Sequence, residues 1–206
     1  MTRVMAYIDG FNLFYGLRDS GLRRYYWLNP VQLVGNLLKP NQTLMGVRYF
    51  TARVSASPND PKKHLRQQSY LEALETIPNL DIVFGQYLSK QKSCRSCAAV
   101  WQHNEEKMTD VNIAVHLLAD AMDDAFDTAM IISADSDLVP PVQAVRERFQ
   151  GKRIIIASPP QRHSARLSDA ANACFTIGRK KLADSQLPEQ IAKSDGFVLN
   201  RPALWS

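Results

Sequence analysis

The sequence predicts an α/β fold with a mostly parallel central sheet that is covered by helices on both faces. Short apolar segments alternate along the chain with amphipathic segments of helical periodicity, which is the pattern of repeated strand–helix–strand units. The 206 residues are enough for about one domain with its own hydrophobic core. Hydrophobic residues make up 45% of the chain and charged residues 22%, a globular composition that excludes a disordered or collagen-like protein.

Six segments predict strands, because each is apolar or rich in β-branched residues and is bounded by turn residues. The predicted strands are residues 4–8, 47–54, 80–84, 130–132, 153–157 and 173–177. The predicted helices are residues 12–19, 30–38, 61–77, 111–122, 138–149 and 164–171. Within the fourth helix we expect an apolar stripe to face the core, formed by Val111, Ala114, Val115, Leu118 and Met122.

Two segments interrupt this alternation. Residues 87–108 carry lysines and a cysteine pair with little periodicity, and we interpret them as an insertion into a domain that spans residues 1–182. Residues 183–206 form a C-terminal tail that is polar before its apolar end. The tail either packs back on the domain or pairs with a partner, so the sequence allows a homo-oligomer.

The charges are unevenly distributed. The net charge is +5, yet residues 105–127 hold seven acids against a single base, Lys107. Residues 146–181 hold nine bases against Glu147 and Asp169. An acidic centre with a basic flank suits a protein that binds a divalent cation and a polyanion together. The alternative is that these charges only solvate surface helices.

Several classes of protein are excluded by what the sequence lacks. It has no run of about 18 apolar residues, its N-terminal segment becomes acidic at Asp9, and it has only three cysteines. We therefore expect no membrane partner, no signal peptide and no disulfide framework, and a cytoplasmic location. The glycine-rich fingerprints of P-loop and dinucleotide-binding proteins are also missing.

Four aspartates occupy positions where α/β sheets place ligands. Asp9 directly follows the first predicted strand, Asp135 and Asp137 follow the fourth, and Asp110 opens a helix with Thr109 as its predicted N-cap. Sites in open parallel sheets form outside the carboxyl ends of the strands, so these acids converge if the first and fourth strands are neighbours.

Clustered carboxylates are suited to one kind of chemistry. Mg²⁺ and Mn²⁺ prefer oxygen ligands, and a pair of such ions can activate water and stabilise the leaving oxygen of a phosphodiester. Each acid also has a simpler interpretation, as a turn residue or as a favourable charge at a helix N-terminus.

Three motifs resemble the signatures of the NYN domain family, a branch of the PIN-like nuclease superfamily. They are Tyr7-Ile-Asp-Gly-Phe-Asn-Leu13, Glu106-Lys-Met-Thr-Asp-Val111 and Ile132-Ser-Ala-Asp-Ser-Asp-Leu138. The resemblance covers residues 3–177 and implies a PIN-like three-layer α/β/α sandwich with metal-dependent ribonuclease activity. By matching position, it implies that four residues are catalytic and bind Mg²⁺ or Mn²⁺: Asp9, Asp110, Asp135 and Asp137.

The resemblance also implies supporting roles and shows two departures. Asn12 would support the first aspartate, and the Ser133 hydroxyl would line the site. Ala134 replaces the usual glycine, and Met108-Thr109 replaces a frequent Gly-Val. A methyl group at residue 134 would strain its loop if the backbone φ there were positive.

Two clusters are candidates for contacts with RNA. Arg162, His163 and Arg166 follow the fifth predicted strand, and Arg23 and Arg24 precede Tyr25-Tyr-Trp27, whose rings could stack on unpaired bases. The alternative is that the first group faces solvent and that the aromatic residues form an edge of the core.

A cysteine pair in the insertion resembles half of a zinc site. Cys94 and Cys97 have knuckle spacing, and His103 could be a third ligand, but a fourth is missing. A structural zinc remains an alternative, although we expect the isolated chain to hold none.

These observations together predict a Mg²⁺- or Mn²⁺-dependent endoribonuclease that acts on single-stranded or looped RNA. Two alternatives remain open: a non-catalytic RNA-binding or scaffold module on the same fold, and a structure-specific DNA nuclease.

Overall fold

A computed structural model describes residues 1–56, 60–93, 96–97 and 99–205, with only the backbone described at 87–92 and 101–106. The elements in chain order are β1 (Thr2–Asp9), α1 (Gly10–Asp19), α2 (Pro30–Leu37), β2 (Gln42–Thr51), α3 (Lys63–Leu74), β3 (Leu80–Phe84), β4 (Gln86–Ser93), β5 (Val100–Lys107), α4 (Thr109–Met122), β6 (Thr128–Ile132), α5 (Val139–Arg148), β7 (Arg153–Ser158), α6 (Ala165–Ala170), β8 (Ala173–Thr176), α7 (Arg179–Ala183), β9 (Gln190–Ala192) and β10 (Val198–Asn200). Short 3-10 helices cover Arg23–Tyr25, Ser136–Leu138 and Ala203–Trp205.

Six strands form the central sheet in the order β3-β2-β1-β6-β7-β8. Every neighbouring pair in it is parallel, so the predicted parallel sheet is confirmed. The central strand β1 pairs with β2 on one side and with β6 on the other, with Ile8 opposite Ile132. The first and fourth predicted strands are therefore neighbours, and the loops that follow them leave the same edge of the sheet.

Helices cover both faces of the sheet, which confirms the three-layer α/β/α sandwich. On one face, α1, α2, α3 and α7 pack with alternate β1 side chains such as Val4 and Ile8 in a single apolar cluster. On the other face, α4, α5 and α6 pack in a second cluster that includes Tyr7 of β1 and Phe50 of β2. Alternate strand residues serve opposite clusters because successive side chains of a strand point to opposite faces.

The segment predicted as an aperiodic insertion forms a hairpin in the structure. β4 and β5 pair with each other in antiparallel register from Gln86 opposite Lys107 to Ser93 opposite Val100. They form a sheet of their own, separate from the six-stranded one. Apolar periodicity did not indicate these strands because their sequences, QYLSKQKS and VWQHNEEK, are mostly polar.

The face that α4 presents to the sheet differs from the predicted one. Val111, Val115 and Met122 are exposed, whereas Ile113 and Leu117 are buried. Asp120 is buried beside them because it accepts hydrogen bonds from the Tyr7 hydroxyl (2.7 Å) and from the Arg48 guanidinium (2.8 and 2.9 Å). This polar anchor orients the helix, and a search for apolar periodicity does not find it.

The tail packs on the domain. Leu199 and Trp205 belong to the same apolar cluster as α1–α3, and Leu199 lies in β10, which forms a small antiparallel hairpin with β9. The Trp27 indole N–H donates to the Pro188 carbonyl over 2.7 Å, which attaches the start of the tail to the core. The longest helix among the described residues, α4, has 14 residues, and no helix in that part of the chain could span a bilayer.

Candidate active site

Asp9 ends the central strand and caps the helix that follows it. Its Oδ1 accepts a hydrogen bond from the Asn12 backbone N–H at 2.9 Å, the usual arrangement of an N-cap. Its Oδ2 accepts one from the Ser133 hydroxyl at 3.1 Å. Asp9 is only 5% exposed and Ser133 is fully buried, so this carboxylate is held rigidly at the junction of β1 and β6.

The loop after β6 is tied to that junction by a chain of hydrogen bonds. The Ala134 N–H donates to Oδ1 of Asn12, and the Asp135 N–H donates to the Ser133 hydroxyl, both at 3.1 Å. The Asp137 N–H then donates to Oδ1 of Asp135 at 2.9 Å. Ala134 does not adopt a positive φ. The anticipated strain at this departure from the family pattern is therefore absent.

Backbone strain occurs instead at Met108, where the family pattern frequently has glycine. Met108 has a φ of 78° and precedes the first residue of α4 in a left-handed conformation that favours glycine. Met108 is the N-cap residue and makes no side-chain cap, so the predicted cap at Thr109 is wrong and Thr109 is the first helical residue. Gly85 fits closely here, since a Cβ on it would lie 2.7 Å from the Lys107 carbonyl oxygen. The base of the β4–β5 hairpin thus packs where α4 begins.

Asp110 stands in the first turn of α4 and faces the loop after β6. Burial raises its pKa above the ordinary value, and the negative charges of Asp135 and Asp137 raise it further. The three carboxylates are therefore close enough to repel one another. Within the described residues, no lysine, arginine or histidine pairs with Asp110 to offset this repulsion.

The donor set has the chemistry of a site for a hard cation. In the described part of the chain, no three histidine, cysteine, aspartate or glutamate side chains form a group that could hold a metal ion by themselves. Mg²⁺ does not require one, because it keeps several waters and is commonly bound through one or two carboxylates together with substrate phosphates. Asp110, Asp135 and Asp137 supply oxygen donors of the type that a partly hydrated Mg²⁺ or Mn²⁺ binds, although they do not form a ready-made three-ligand site.

The five basic residues predicted to contact RNA lie on different parts of the surface. Arg162 turns toward α1, where it forms an ion pair with Asp19, while His163 is exposed. Arg166 lines a groove of about 800 Å³ beside α5 and α6. Arg23 and Arg24 are exposed on the first 3-10 helix.

The aromatic residues after Arg24 form an edge of the core, as the alternative interpretation held. Trp27 is fully buried, and Tyr25 and Tyr26 are less than 10% exposed. Stacking of unpaired bases on Trp27 is therefore excluded in this conformation.

The possible zinc ligands are only partly within the described residues. Cys97 is exposed and is not in a disulfide. Cys94 and the side chain of His103 lie outside the described residues, so the expectation that the isolated chain holds no zinc stays a prediction.

A pocket that the sequence did not reveal lies beside α1, with a volume of about 360 Å³. Gly10, the residue after Asp9, lines it, as do Tyr49 of β2, Tyr70 of α3 and Trp205 of the tail. These residues come from distant parts of the chain, so only the tertiary structure brings them together. The sequence indicated only that the apolar end of the tail, which includes Trp205, could pack on the domain.

Comparisons with known proteins place these features in context. The family model described as the NYN domain matches residues 3–178. The chain is 25% identical to the 6-hydroxy-3-succinoylpyridine 3-monooxygenase HspA of Pseudomonas putida, over 92% of this chain and 71% of that protein. A crystal structure of a protein of unknown function from Vibrio parahaemolyticus is similar with a TM-score of 0.58 at 18% identity, covering 90% of this chain and 96% of that one. This last likeness concerns the fold alone.

Proposed function

Because the chain belongs to the NYN domain family, we propose that it is a Mg²⁺- or Mn²⁺-dependent endoribonuclease that acts on single-stranded or looped RNA. One observation carries the proposal: Asp110 faces Asp135 and Asp137 closely enough for their charges to raise its pKa, with no basic residue of the described chain paired to it. A cluster of like charges at the ligand-binding edge of a parallel sheet is stabilised when a cation binds.

The residues of the chain divide the work. The cation would be held by Asp110, Asp135 and Asp137, and Asp9 would add a fourth carboxylate at the same edge of the sheet. A bound divalent ion supplies Lewis-acid polarisation of the phosphodiester and activation of water for in-line attack. Ser133 and Asn12 are positioning residues, since they hold Asp9 and the Ala134 loop through the hydrogen bonds described above.

RNA would approach along the edge where the acids lie. His163 and Arg166 follow the C-terminal end of β7, at the same edge of the sheet as the acids, and both are exposed. Their side chains would contact the phosphate backbone, and the charge of Arg166 would release counterions, so affinity for RNA should fall as salt rises. Of the nine bases in residues 146–181, some are already in ion pairs, as Lys152 and Arg162 are with Asp124 and Asp19, so the remaining bases would supply the charge for this effect.

The test is cleavage of a fluorogenic single-stranded RNA with Mn²⁺ and with EDTA. We expect Mn²⁺-dependent cleavage that EDTA abolishes and that Asp135→Asn lowers by at least about 100-fold, as loss of a group that acts in the transition state does. The asparagine retains an oxygen to accept the Asp137 N–H, so the loop keeps its shape. Asp123→Asn removes the charge of an exposed acid at the other end of α4 and serves as the matched control.

Two alternatives have distinct outcomes in the same assay. RNA binding without cleavage by wild-type protein would replace the proposal with a non-catalytic RNA-binding or scaffold module. Faster cleavage of a branched or duplex DNA than of RNA would replace it with a structure-specific DNA nuclease.

The named relative raises a second candidate function, monooxygenation of a small aromatic ring. It is favoured by the 25% identity to a protein named as such a monooxygenase over 92% of the chain. Oxygen consumption with 6-hydroxy-3-succinoylpyridine and a supplied reductant distinguishes the two functions. We expect no substrate-dependent consumption, and a clear rate above background would favour the oxygenase over the nuclease.

A further inference from the structure

We propose that the pocket beside α1 is a binding site for a flat aromatic ring that carries an anionic group. Its volume of about 360 Å³ lies in the range of small-ligand sites. Two sources have this shared chemistry: a nucleotide unit of an RNA strand, or a free aromatic acid. Only the RNA source rests on the proposed function. The pocket is lined by none of the four candidate metal-binding aspartates, so a free aromatic acid could bind there whether or not the chain cleaves RNA.

The walls of the pocket are a continuous series of aromatic rings. Phe14 at the mouth lies 4.9 Å from Tyr26, which lies 5.7 Å from Trp205, between ring centroids. Trp205 lies 6.1 Å from Tyr70, and Tyr70 lies 6.4 Å from Tyr49. All five line the same space. Phe14 is 38% exposed, so it is the ring of the five with the most accessible area for a ligand to contact.

The rim of the pocket is basic. Among the described lining residues, four are basic (Arg18, Arg23, Lys63 and Arg66) and one, Asp60, is acidic. Asp60 forms an ion pair with Arg66, and Arg18 is paired with Asp19 outside the pocket. Arg23 is exposed and lines the same space as Tyr26. A guanidinium beside an aromatic wall suits a ligand whose anionic group projects from a planar ring.

The inner wall connects the pocket to the acidic edge. Gly10 follows Asp9 directly, and a Cβ on Gly10 would lie 2.7 Å from the Tyr49 ring. The absence of a side chain therefore lets Tyr49 lie against the first turn of α1. A ring held between Tyr49 and Phe14 would lie on the flank of α1, next to the junction that holds Asp9.

The test measures binding directly by isothermal titration calorimetry in EDTA, with no cleavage step. The probes are 5′-UMP, which has both ring and anion, uridine, which has the ring alone, inorganic phosphate, and benzoate. We expect 5′-UMP or benzoate to bind at least about tenfold more tightly than either uridine or phosphate. A preference for 5′-UMP identifies the nucleotide source, and a preference for benzoate identifies a free aromatic acid.

Matched variants locate the binding. Phe14→Ala should weaken binding of the preferred probe about tenfold, the usual effect of losing one stacking ring, whereas Phe175→Ala, equally exposed on β8, should not. Arg23→Gln should weaken it as well, and Arg24→Gln, the exposed neighbour that does not line the pocket, should not. Thermal melts check that each variant folds.

Two results would overturn the proposal: no probe binds to wild-type protein, or Phe14→Ala and Arg23→Gln bind like wild type although both are folded. Failure of RNA cleavage would leave this result untouched, because the titration needs neither metal nor catalysis.

Discussion

Two aspartates on the same helix, ten residues apart, have opposite surroundings. Asp120, near the C-terminal end of α4, is 6% exposed and is held by the Tyr7 hydroxyl and by Nε and Nη2 of the Arg48 guanidinium. Asp110, in the first turn, meets the carboxylates of Asp135 and Asp137 instead, and its pKa is raised. The chain itself neutralises the structural acid. No basic side chain of the described residues pairs with Asp110, so a bound cation would stabilise its negative charge.

The largest expected effect comes from the structural acid. Asp120→Asn should lower the free energy of unfolding by about 3 kcal/mol, because it leaves the partly buried Arg48 without its main counter-charge. Urea denaturation measures this, with Asp123→Asn as the exposed control. Tyr7→Phe, which removes one hydrogen bond, should cost about 1 kcal/mol. Equal losses for Asp120→Asn and Asp123→Asn would remove the distinction between the two aspartates.

Added metal should stabilise the protein through Asp110 and not through Asp120. Mn²⁺ at about 100 times its dissociation constant should stabilise the wild-type protein by about 2.7 kcal/mol, because it binds the folded state. Asp110→Asn should lose most of this gain, and Asp120→Asn should keep it. Thermal shift with Mn²⁺, with Ca²⁺ and with EDTA provides the measurement. A gain that survives in Asp110→Asn would place the metal elsewhere.

Without metal, the same substitution should stabilise the protein. The raised pKa means that folding disfavours the ionised form of Asp110, so Asp110→Asn should raise the free energy of unfolding at neutral pH by about 0.5 kcal/mol. For a carboxyl with a raised folded-state pKa, stability increases as pH falls through that pKa, because the folded state binds the proton more tightly. The difference between variant and wild type should therefore shrink toward acidic pH. A constant difference from pH 8 to pH 4 would contradict this.

An equally small effect is expected at Met108, two residues before Asp110. Met108→Gly should stabilise the protein by about 0.5 kcal/mol, because glycine accepts the φ of 78° that methionine adopts at a cost. Met122→Gly, at the exposed far end of the same helix, should instead destabilise by up to about 1 kcal/mol. Chemical denaturation of both variants tests the assignment of strain, which requires opposite signs.

The sequence predicted the parts of the molecule in which local pattern and tertiary role agree. The strand at residues 80–84 was predicted with its exact bounds and the strand at 153–157 to within one residue, because both segments are mostly apolar and are bounded by turn residues. The adjacency of Asp9 and Ser133 followed from the pairing of two such strands. Asp110 was added to the site by the resemblance to the NYN motifs. Its position depends on how α4 packs, and the order of the strands does not determine that packing.

What the sequence did not reveal depends on packing between distant residues. Val111 and Val115 were predicted to face the core, yet α4 offers two apolar stripes and the buried Asp120 selects the other. The β4–β5 hairpin is polar, so its strands had no apolar alternation to show. The aromatic pocket joins Phe14 to Trp205, and no local pattern connects residues at opposite ends of a chain.

The position of β1 in the sheet also bears on how the protein is made. β1 leaves the ribosome well before one of its two partners, β6, which begins at Thr128. At translation rates of about 5–20 residues per second, one edge of β1 waits on the order of ten seconds for that partner. During this interval an apolar strand displays unpaired amide and carbonyl groups, which are the groups that nascent-chain chaperones shield from aggregation. Asp9 and Ser133 can meet only after that wait, so the candidate catalytic edge is assembled late in synthesis.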